Sequence, residues 1–239
     1  MAIESGESTF HQAQIGIIQD DLVWNLDSGV KQSYDGTGTV WLNLEGARAD
    51  NQGNLLNGVN FDREVGGVMS FDGTDDYVQG QTPFLEQLHG SSELSVFAWI
   101  NCPCTSTYGK IISGSHQGGY NKWDFGLNGD DLFVFDPYDN GSGGVSVSNI
   151  VSVDTWTYVG FTYKSEGNRV VYKNAAAQST VSRGAATVGT TLLRAGIAGS
   201  SYVVRPLAGK IAIAHVYKKE LSAAEVLENY NATRHRFGV

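Results

Sequence analysis

The stretch from residue 67 to residue 100 constrains the fold of this chain more than any other feature. Its second apolar run, L-S-V-F-A-W-I (94–100), places apolar side chains on both faces, because successive side chains of a strand point to opposite sides. The first run, V-M-S-F (68–71), ends at Asp72-Gly73, a pair that suits a tight turn. A strand that is apolar on both faces indicates the middle of a sheet packed above and below, or one with aromatic groups on an exposed concave surface.

Short apolar segments separated by glycine-rich turns recur along the rest of the chain, which predicts an all-β fold. The 239 residues include 30 glycines and 41% hydrophobic residues, enough for one large core. We therefore expect a single β-sandwich domain over residues 21–239, preceded by an N-terminal arm or edge strand over residues 1–20. Ser222 and Glu225 form a capping-box pattern, which predicts one short helix at about residues 223–231.

Charge and hydropathy exclude several functional classes. The formal net charge is −9, and clustered Lys and Arg residues are few, so a nucleic-acid partner is not expected. Membrane insertion is not expected either, because no apolar run approaches the roughly 20 residues that span a bilayer. The first residues, M-A-I-E, do not resemble a signal peptide. Cys102 and Cys104 are too close for an ordinary disulfide and lack zinc spacing, so we expect two buried or half-buried thiols.

Several segments together resemble the laminin-G-like, concanavalin A-like lectin/glucanase family, in that family's order along the chain. The segments are F-D-G-T-D-D-Y-V (71–78), S-V-F-A-W-I (95–100), W-T-Y-V-G-F-T-Y (156–163), R-V-V-Y-K-N (169–174) and L-A-G-K-I-A-I-A-H-V-Y-K-K-E-L-S-A-A-E-V (207–226). More narrowly, residues 26–44 and the ending E-N-Y-N-A-T-R-H-R-F-G-V (228–239) resemble versions of this domain in structural proteins of tailed bacteriophages.

The resemblance implies a jelly-roll sandwich of two curved antiparallel sheets with one short C-terminal helix. It further implies a non-catalytic, lectin-like decoration protein on the virion surface, attached to capsid, neck or tail proteins and able to bind host or environmental glycans. Family members often carry acidic residues in the last strand, where this chain has Ala212 and Ala214. A calcium site of the family type is therefore not expected there.

Sugar binding requires an aromatic surface for the apolar face of the ring beside polar groups that bond its hydroxyls. One predicted hairpin supplies such residues close together in sequence. The candidates are Tyr120, Asn121, Trp123, Asp124 and Tyr138. Packing in the core explains Trp123 equally well.

Acidic residues suggest one further site and argue against catalysis. Asp72, Asp75 and Asp76 could hold calcium through oxygen ligands, or could simply serve the turn at Asp72-Gly73. No cofactor is required by any motif. A retaining glucanase needs two carboxylates about 5 Å apart across one cleft, and no predicted strand carries such a pair, so we expect a protein that is not an enzyme.

The two termini offer candidate contacts with partners. Ile15 and Ile17 in the arm, with Arg234 and Arg236 near the end, could dock on a neighbouring subunit. A homo-oligomer would suit a virion protein. Two other functions stay open on sequence alone: a polysaccharide-degrading, glucanase-like enzyme, and a free bacterial adhesin.

Overall fold

A computed structural model describes residues 16–45, 52–80, 87–105, 108–115, 123–137, 144–189, 192–196 and 205–239. The strands within these ranges are β1 (Leu22–Asp27), β2 (Val40–Trp41), β3 (Gly53–Leu56), β4 (Asn60–Asp62), β5 (Val68–Asp72), β6 (Tyr77–Gly80), β7 (Glu93–Asn101), β8 (Gly109–Ser115), β9 (Trp123–Asn128), β10 (Asp131–Phe135), β11 (Val145–Val147), β12 (Thr157–Lys164), β13 (Asn168–Lys173), β14 (Ala176–Ser182), β15 (Leu192–Ala195) and β16 (Ala208–Tyr217). Helix α1 (Ala223–Thr233) follows them.

The strands form two antiparallel eight-stranded sheets, which confirms the predicted all-β sandwich. Sheet A has the order β14-β13-β12-β7-β16-β5-β4, with β1 also paired to β16. Sheet B has the order β11-β10-β9-β8-β15-β6-β3-β2. No helix within the described ranges is long and apolar enough to cross a bilayer.

Strand β7 lies in the middle of sheet A, as its two apolar faces predict. It pairs with β12 on one side and with β16 on the other. Leu94, Val96, Ala98 and Ile100 point into the main core between the sheets. The turn that follows β5 does not join two neighbours in one sheet, because β5 belongs to sheet A and β6 to sheet B. The turn at Asp72-Gly73 therefore carries the chain from one layer to the other, and Gly73 has φ +80° there.

The outer face of sheet A is covered by the C-terminal segment. Trp99 is fully buried, stacks on Phe237 with ring centroids 4.1 Å apart, and donates from Nε1 to Thr233 Oγ1 at 2.8 Å. Ser222 caps α1 in the predicted capping box with Glu225. Helix α1 and the residues after it thus shield the apolar outer face of sheet A from solvent.

The two cysteines are free thiols, as predicted, with Cys102 buried and Cys104 half-buried. Their sulfur atoms lie 3.2 Å apart. Burial, followed by the hydrogen bond to Cys104, raises the pKa of Cys102 to about 12. Cys102 is therefore protonated, and so poorly nucleophilic, at neutral pH.

A buried histidine makes the fold sensitive to acid. His215 is 2% exposed, and within the described residues its Nδ1 has no hydrogen-bond partner. Burial lowers the pKa of His215 from its ordinary 6.5 to about 4. The unfolded chain therefore binds a proton that the folded chain rejects, and stability present above pH 6.5 is lost as the pH falls toward 4. The loss approaches about 3 kcal/mol below that pH.

The variant His215→Leu should flatten this dependence in urea unfolding curves recorded between pH 7 and pH 4. The matched control is His235→Leu, since His235 is exposed and its loss should leave the slope unchanged. Equal pH dependence in the wild type and in His215→Leu would contradict this assignment.

Candidate functional site

The sequence-predicted sugar-binding hairpin is only partly within the described residues. Tyr120, Asn121 and Tyr138 lie outside them. Trp123 is fully buried and packs edge-on against Phe161, with ring centroids 6.4 Å apart. Its assignment as a sugar-stacking residue is wrong, because a ring inside the core cannot meet a ligand. Asp124 accepts from Lys110 Nζ at 2.6 Å, so its carboxylate forms an ion pair within the sheet.

The three aspartates of the β5–β6 turn do come together. Oxygen atoms of Asp72, Asp75 and Asp76 all lie within 4.8 Å of one another. Asp72 Oδ1 accepts from the Thr74 N–H at 2.7 Å and Asp76 Oδ2 accepts from the Asp72 N–H at 3.0 Å, so both carboxylates also hold the turn. Burial, then the charges of Asp72 and Asp75, raises the pKa of Asp76. Ala212 and Ala214 are fully buried and offer no ligand atoms.

Calcium binding at this turn stays a prediction with a simple measurement. If calcium binds, millimolar calcium should raise the melting temperature, because a ligand of the folded state alone stabilises it by mass action. The variant Asp75→Asn should remove this rise in melting temperature, because it removes one candidate calcium ligand. The turn itself should stay intact, since the exposed Asp75 carboxylate makes no described hydrogen bond in it. An unchanged melting temperature in the presence of calcium would contradict calcium binding, and these aspartates would then serve only to stabilise the turn.

Two of the predicted partner-docking residues are engaged within their own chain. Ile17 is 8% exposed and packs in the outer core of sheet A, so it is not free to dock on a partner. Arg236 bonds Asp27 and the carbonyl oxygens of Val65 and Gly67. Both assignments are corrected for the same reason, since these side chains are used in contacts within the folded chain.

For the other two candidate docking residues, Ile15 and Arg234, the described residues show no contact that excludes binding to a partner. Ile15 lies outside the described residues. Arg234 is exposed and lies over the Tyr230 ring, 5.8 Å from its centroid. Arg234 therefore stays a candidate for a partner contact.

A cleft that the sequence did not predict opens beside β1 and β4. Its volume is about 270 Å³, just below the range of roughly 300–1,000 Å³ for ligand pockets. We call it the loop cleft. Its lining side chains include Lys31, Tyr34, Asp35, Phe61 and Arg63.

The first wall of the loop cleft is the segment that follows β1. Ser33 and Tyr34 donate backbone N–H groups to the Val30 carbonyl at 2.8 and 2.9 Å, which folds the segment into a compact turn. Tyr34 Oη donates to the Gly38 carbonyl at 2.8 Å, and Gly38 has φ +85°. The wall is thus built from local hydrogen bonds and positions the Tyr34 ring.

The second wall runs from β4 through a short 3₁₀ turn at Glu64–Gly66. The Phe61 ring lies 5.0 Å from that of Tyr34, inclined at 53°. Val65 has φ +40°, which is rare for a β-branched residue and is tolerated only where the surroundings enforce it. The neighbouring Glu64 helps to fix this backbone conformation, because its carboxylate pairs with Lys210 and accepts a hydrogen bond from Trp156 Nε1 at 3.3 Å.

Arg236 joins the two walls. Its guanidinium group bonds the Asp27 carboxylate at the start of the first wall and the Val65 and Gly67 carbonyls in the second. Ser28 Oγ adds a bond to the Gly67 carbonyl at 2.8 Å. The cleft is therefore held open by its own chain before any ligand arrives, as small-molecule sites usually are.

Positive charge collects at this cleft although the chain as a whole is acidic. Within the described residues, neither Lys31 nor Arg63 forms an ion pair or a side-chain hydrogen bond. Asp35 Oδ1 accepts from both the N–H and the hydroxyl of Thr37 at 2.9 Å. These bonds first, and then the charge of Lys31, lower the pKa of Asp35. The lining thus carries two cations and one carboxylate.

The sequence marks the first wall only through the resemblance of residues 26–44 to phage versions of the domain. Sequence reasoning missed Phe61, which lies in a strand of three residues with the weakly patterned sequence N-F-D, and Arg63, which directly follows that strand. The aromatic and turn signals of residues 26–44 could have marked half of the site. The pairing of the two walls depends on Arg236, about 170 residues farther along the chain.

Residues 72–227 match the family model described as the concanavalin A-like lectin/glucanases superfamily. No curated protein sequence matched. Among solved structures, the ligand-binding domain of botulinum neurotoxin serotype D in complex with N-acetylneuraminic acid is 14% identical, with a TM-score of 0.66 and coverage of 90% of this chain and 52% of that one.

Two further solved structures are similar to the same degree. The binding domain of botulinum neurotoxin DC in complex with SialylT is 13% identical, with a TM-score of 0.65, over 90% of this chain and 52% of that one. The type G receptor-binding domain is 14% identical, with a TM-score of 0.62, over 89% and 51%. This chain spans about half the length of those domains, and identities this low show the fold alone.

The fold and the family match together define a β-sandwich of the lectin class. The family match covers more than half of the residues. The chain belongs to the concanavalin A-like lectin/glucanases superfamily, as its sequence motifs indicate.

Proposed function

We propose that this protein is a non-catalytic carbohydrate-binding module and that the loop cleft is its sugar-binding site. The observation that carries the proposal is the combination in one preformed cleft of the half-buried Phe61 ring, packed on the buried Tyr34 ring, with the polar groups of Asp35, Lys31 and Arg63. Aromatic rings take the apolar face of a sugar, and charged groups bond its hydroxyls. The similar neurotoxin domains are described as binding domains, two of them with sugar ligands.

The described acidic residues do not favour the enzyme alternative. The Asp72, Asp75 and Asp76 oxygens are close enough for a retaining pair, whose carboxyl groups lie about 5–5.5 Å apart. They nevertheless share one tight turn, and Asp76 is 4% exposed, so no sugar ring fits between them. Among the described residues that line the loop cleft, Asp35 is the one carboxylate, and a single carboxylate cannot act as both acid and nucleophile. A reducing-end assay on glucans should therefore detect no turnover, and turnover abolished by one carboxylate substitution would contradict the proposal.

We further propose that the module is displayed on the virion of a tailed phage, joined to capsid, neck or tail proteins. Two segments resemble phage versions of the domain, residues 26–44 and 228–239, and the loop cleft brings both together. The first forms one wall, and the second supplies Arg236, which bonds both walls. Many copies on one particle would convert weak single-site binding into firm adhesion. Labelled antibody on purified particles, viewed by electron microscopy, tests this placement, and its failure to bind intact particles would contradict it.

The aromatic wall gives a direct mutational test of sugar binding. A glycan array should first identify a bound oligosaccharide. Phe61→Ala should then weaken its affinity about tenfold, which corresponds to about 1.4 kcal/mol of lost ring contact. The measurement is isothermal titration calorimetry.

Val153→Ala is the control for Phe61→Ala, because Val153 is 60% exposed and does not line the cleft. Thermal unfolding should show that both variants stay folded. Unchanged affinity in a folded Phe61→Ala variant would place the sugar elsewhere.

A further inference from the structure

We infer that the loop cleft selects saccharides that carry an anionic substituent, a carboxylate or a sulfate ester, over neutral ones. The inference rests on the proposed function and goes beyond it by specifying the ligand. It follows from the charges of the cleft lining and from which of them are already engaged within the protein.

Lys31 and Arg63 are the two cations available to a ligand. Neither bonds a carboxylate within the described residues. Arg236, the third cation nearby, is saturated by Asp27 and by two backbone carbonyls, so it serves as a positioning residue. Two cations beside one carboxylate leave the described lining with an excess positive charge that an anion would balance.

The surrounding acidic groups do not cancel these charges. Asp27 is paired with Arg236. Asp62, next to Arg63 in the chain, is exposed and does not line the cleft, and Glu64 is paired with Lys210. Among the described lining residues, Asp35 is the single carboxylate against the two cations Lys31 and Arg63. The lining therefore keeps a net positive charge in a chain that carries 25 acidic and 16 basic residues.

The position of Arg63 suits an oxyanion next to a sugar ring. A Cβ built on Gly36 would lie 3.4 Å from both the Arg63 guanidinium and the Phe61 ring, so the cation and the aromatic edge adjoin beneath the same turn. A guanidinium presents parallel N–H donors that match carboxylate or sulfate oxygens, whereas a neutral hydroxyl uses only one. A sugar on Phe61 would thus place an acidic substituent toward Arg63, with Lys31 across the cleft.

The test uses calorimetric titration of the full chain with three oligosaccharides of similar length. These are an oligogalacturonate, which carries carboxylates, a sulfated galactan oligosaccharide, and an uncharged galactan oligosaccharide. At least one acidic ligand should bind about tenfold more tightly than the neutral one. The two acidic arms distinguish a carboxylate preference from a sulfate preference.

Charge variants locate the effect. Lys31→Gln and Arg63→Gln should each weaken binding of the acidic ligand about tenfold and weaken binding of the neutral ligand much less, because only the acidic ligand loses an ion pair. Arg63→Lys should restore part of the loss, since it keeps the charge without the planar fork. Lys218→Gln, on an exposed residue that does not line the cleft, is the matched control and should change nothing.

The outcomes separate the two proposals. Equal affinity for neutral and acidic ligands would overturn the anionic preference and leave sugar binding intact. Preference for acidic ligands that survives both glutamine substitutions would overturn the cleft as its cause. Absence of binding to all three ligands and to a broad glycan array would overturn the proposed function as well.

Discussion

Asp136→Asn is expected to lower the free energy of unfolding by about 3–5 kcal/mol. The Asp136 carboxylate is fully buried and lies 2.9 Å from Arg169 Nη1 and 2.7 Å from Arg183 Nε. Arg169 also donates to the Val134 carbonyl at 3.3 Å, which links strand β13 of sheet A to β10 of sheet B. Removing the carboxylate charge would leave two buried guanidinium groups to repel each other inside the sandwich.

Chemical denaturation at neutral pH measures this effect, and Asp20→Asn is its matched control. Asp20 pairs with Lys219 at 3.1 Å, but its side chain is 77% exposed. An exposed ion pair contributes about 0–1 kcal/mol, so the control should change little. If both variants lost the same free energy of unfolding, the buried Asp136 ion pairs would contribute no more than an exposed ion pair, which would contradict this prediction.

Trp99→Ala is the second substitution with a large expected effect, a loss of about 3–5 kcal/mol. The Trp99 ring stacks between sheet A and the C-terminal segment, against Phe237, Tyr230 and Tyr158. Alanine would leave a cavity and would remove the hydrogen bond to Thr233. The C-terminal segment should loosen first, because this ring is its central contact with the sheet.

Limited proteolysis tests that local loosening alongside the denaturation curve. Trp99→Ala should expose cleavage sites near Arg234 at denaturant concentrations where the wild type resists. Leu227→Ala on the outward side of α1 is the control, since Leu227 is 48% exposed. Global unfolding of Trp99→Ala without earlier C-terminal cleavage would contradict this role.

The fold was largely predictable because its signals are local and repeated. The two-faced run 94–100 predicted a central strand, and β7 is central. Ser222 and Glu225 predicted the start of α1. Alternation and capping act within a few residues, so sequence alone reveals them.

The candidate site was less predictable because it depends on contacts between distant residues. Trp123 and Phe61 are both aromatic residues in strands, and only the packing of the layers puts Trp123 in the core and Phe61 at a cleft. Arg236 looked like a free basic residue near the end of the chain. Its carbonyl and carboxylate partners lie near residues 27 and 66, and no local pattern indicates such a pairing.

A crystal structure of the protein with a bound acidic oligosaccharide tests the central claim most directly. We expect one sugar ring against Phe61, with its carboxylate or sulfate oxygens bonded by Arg63 and Lys31. A saccharide bound outside the loop cleft, with these three side chains untouched, would contradict the account.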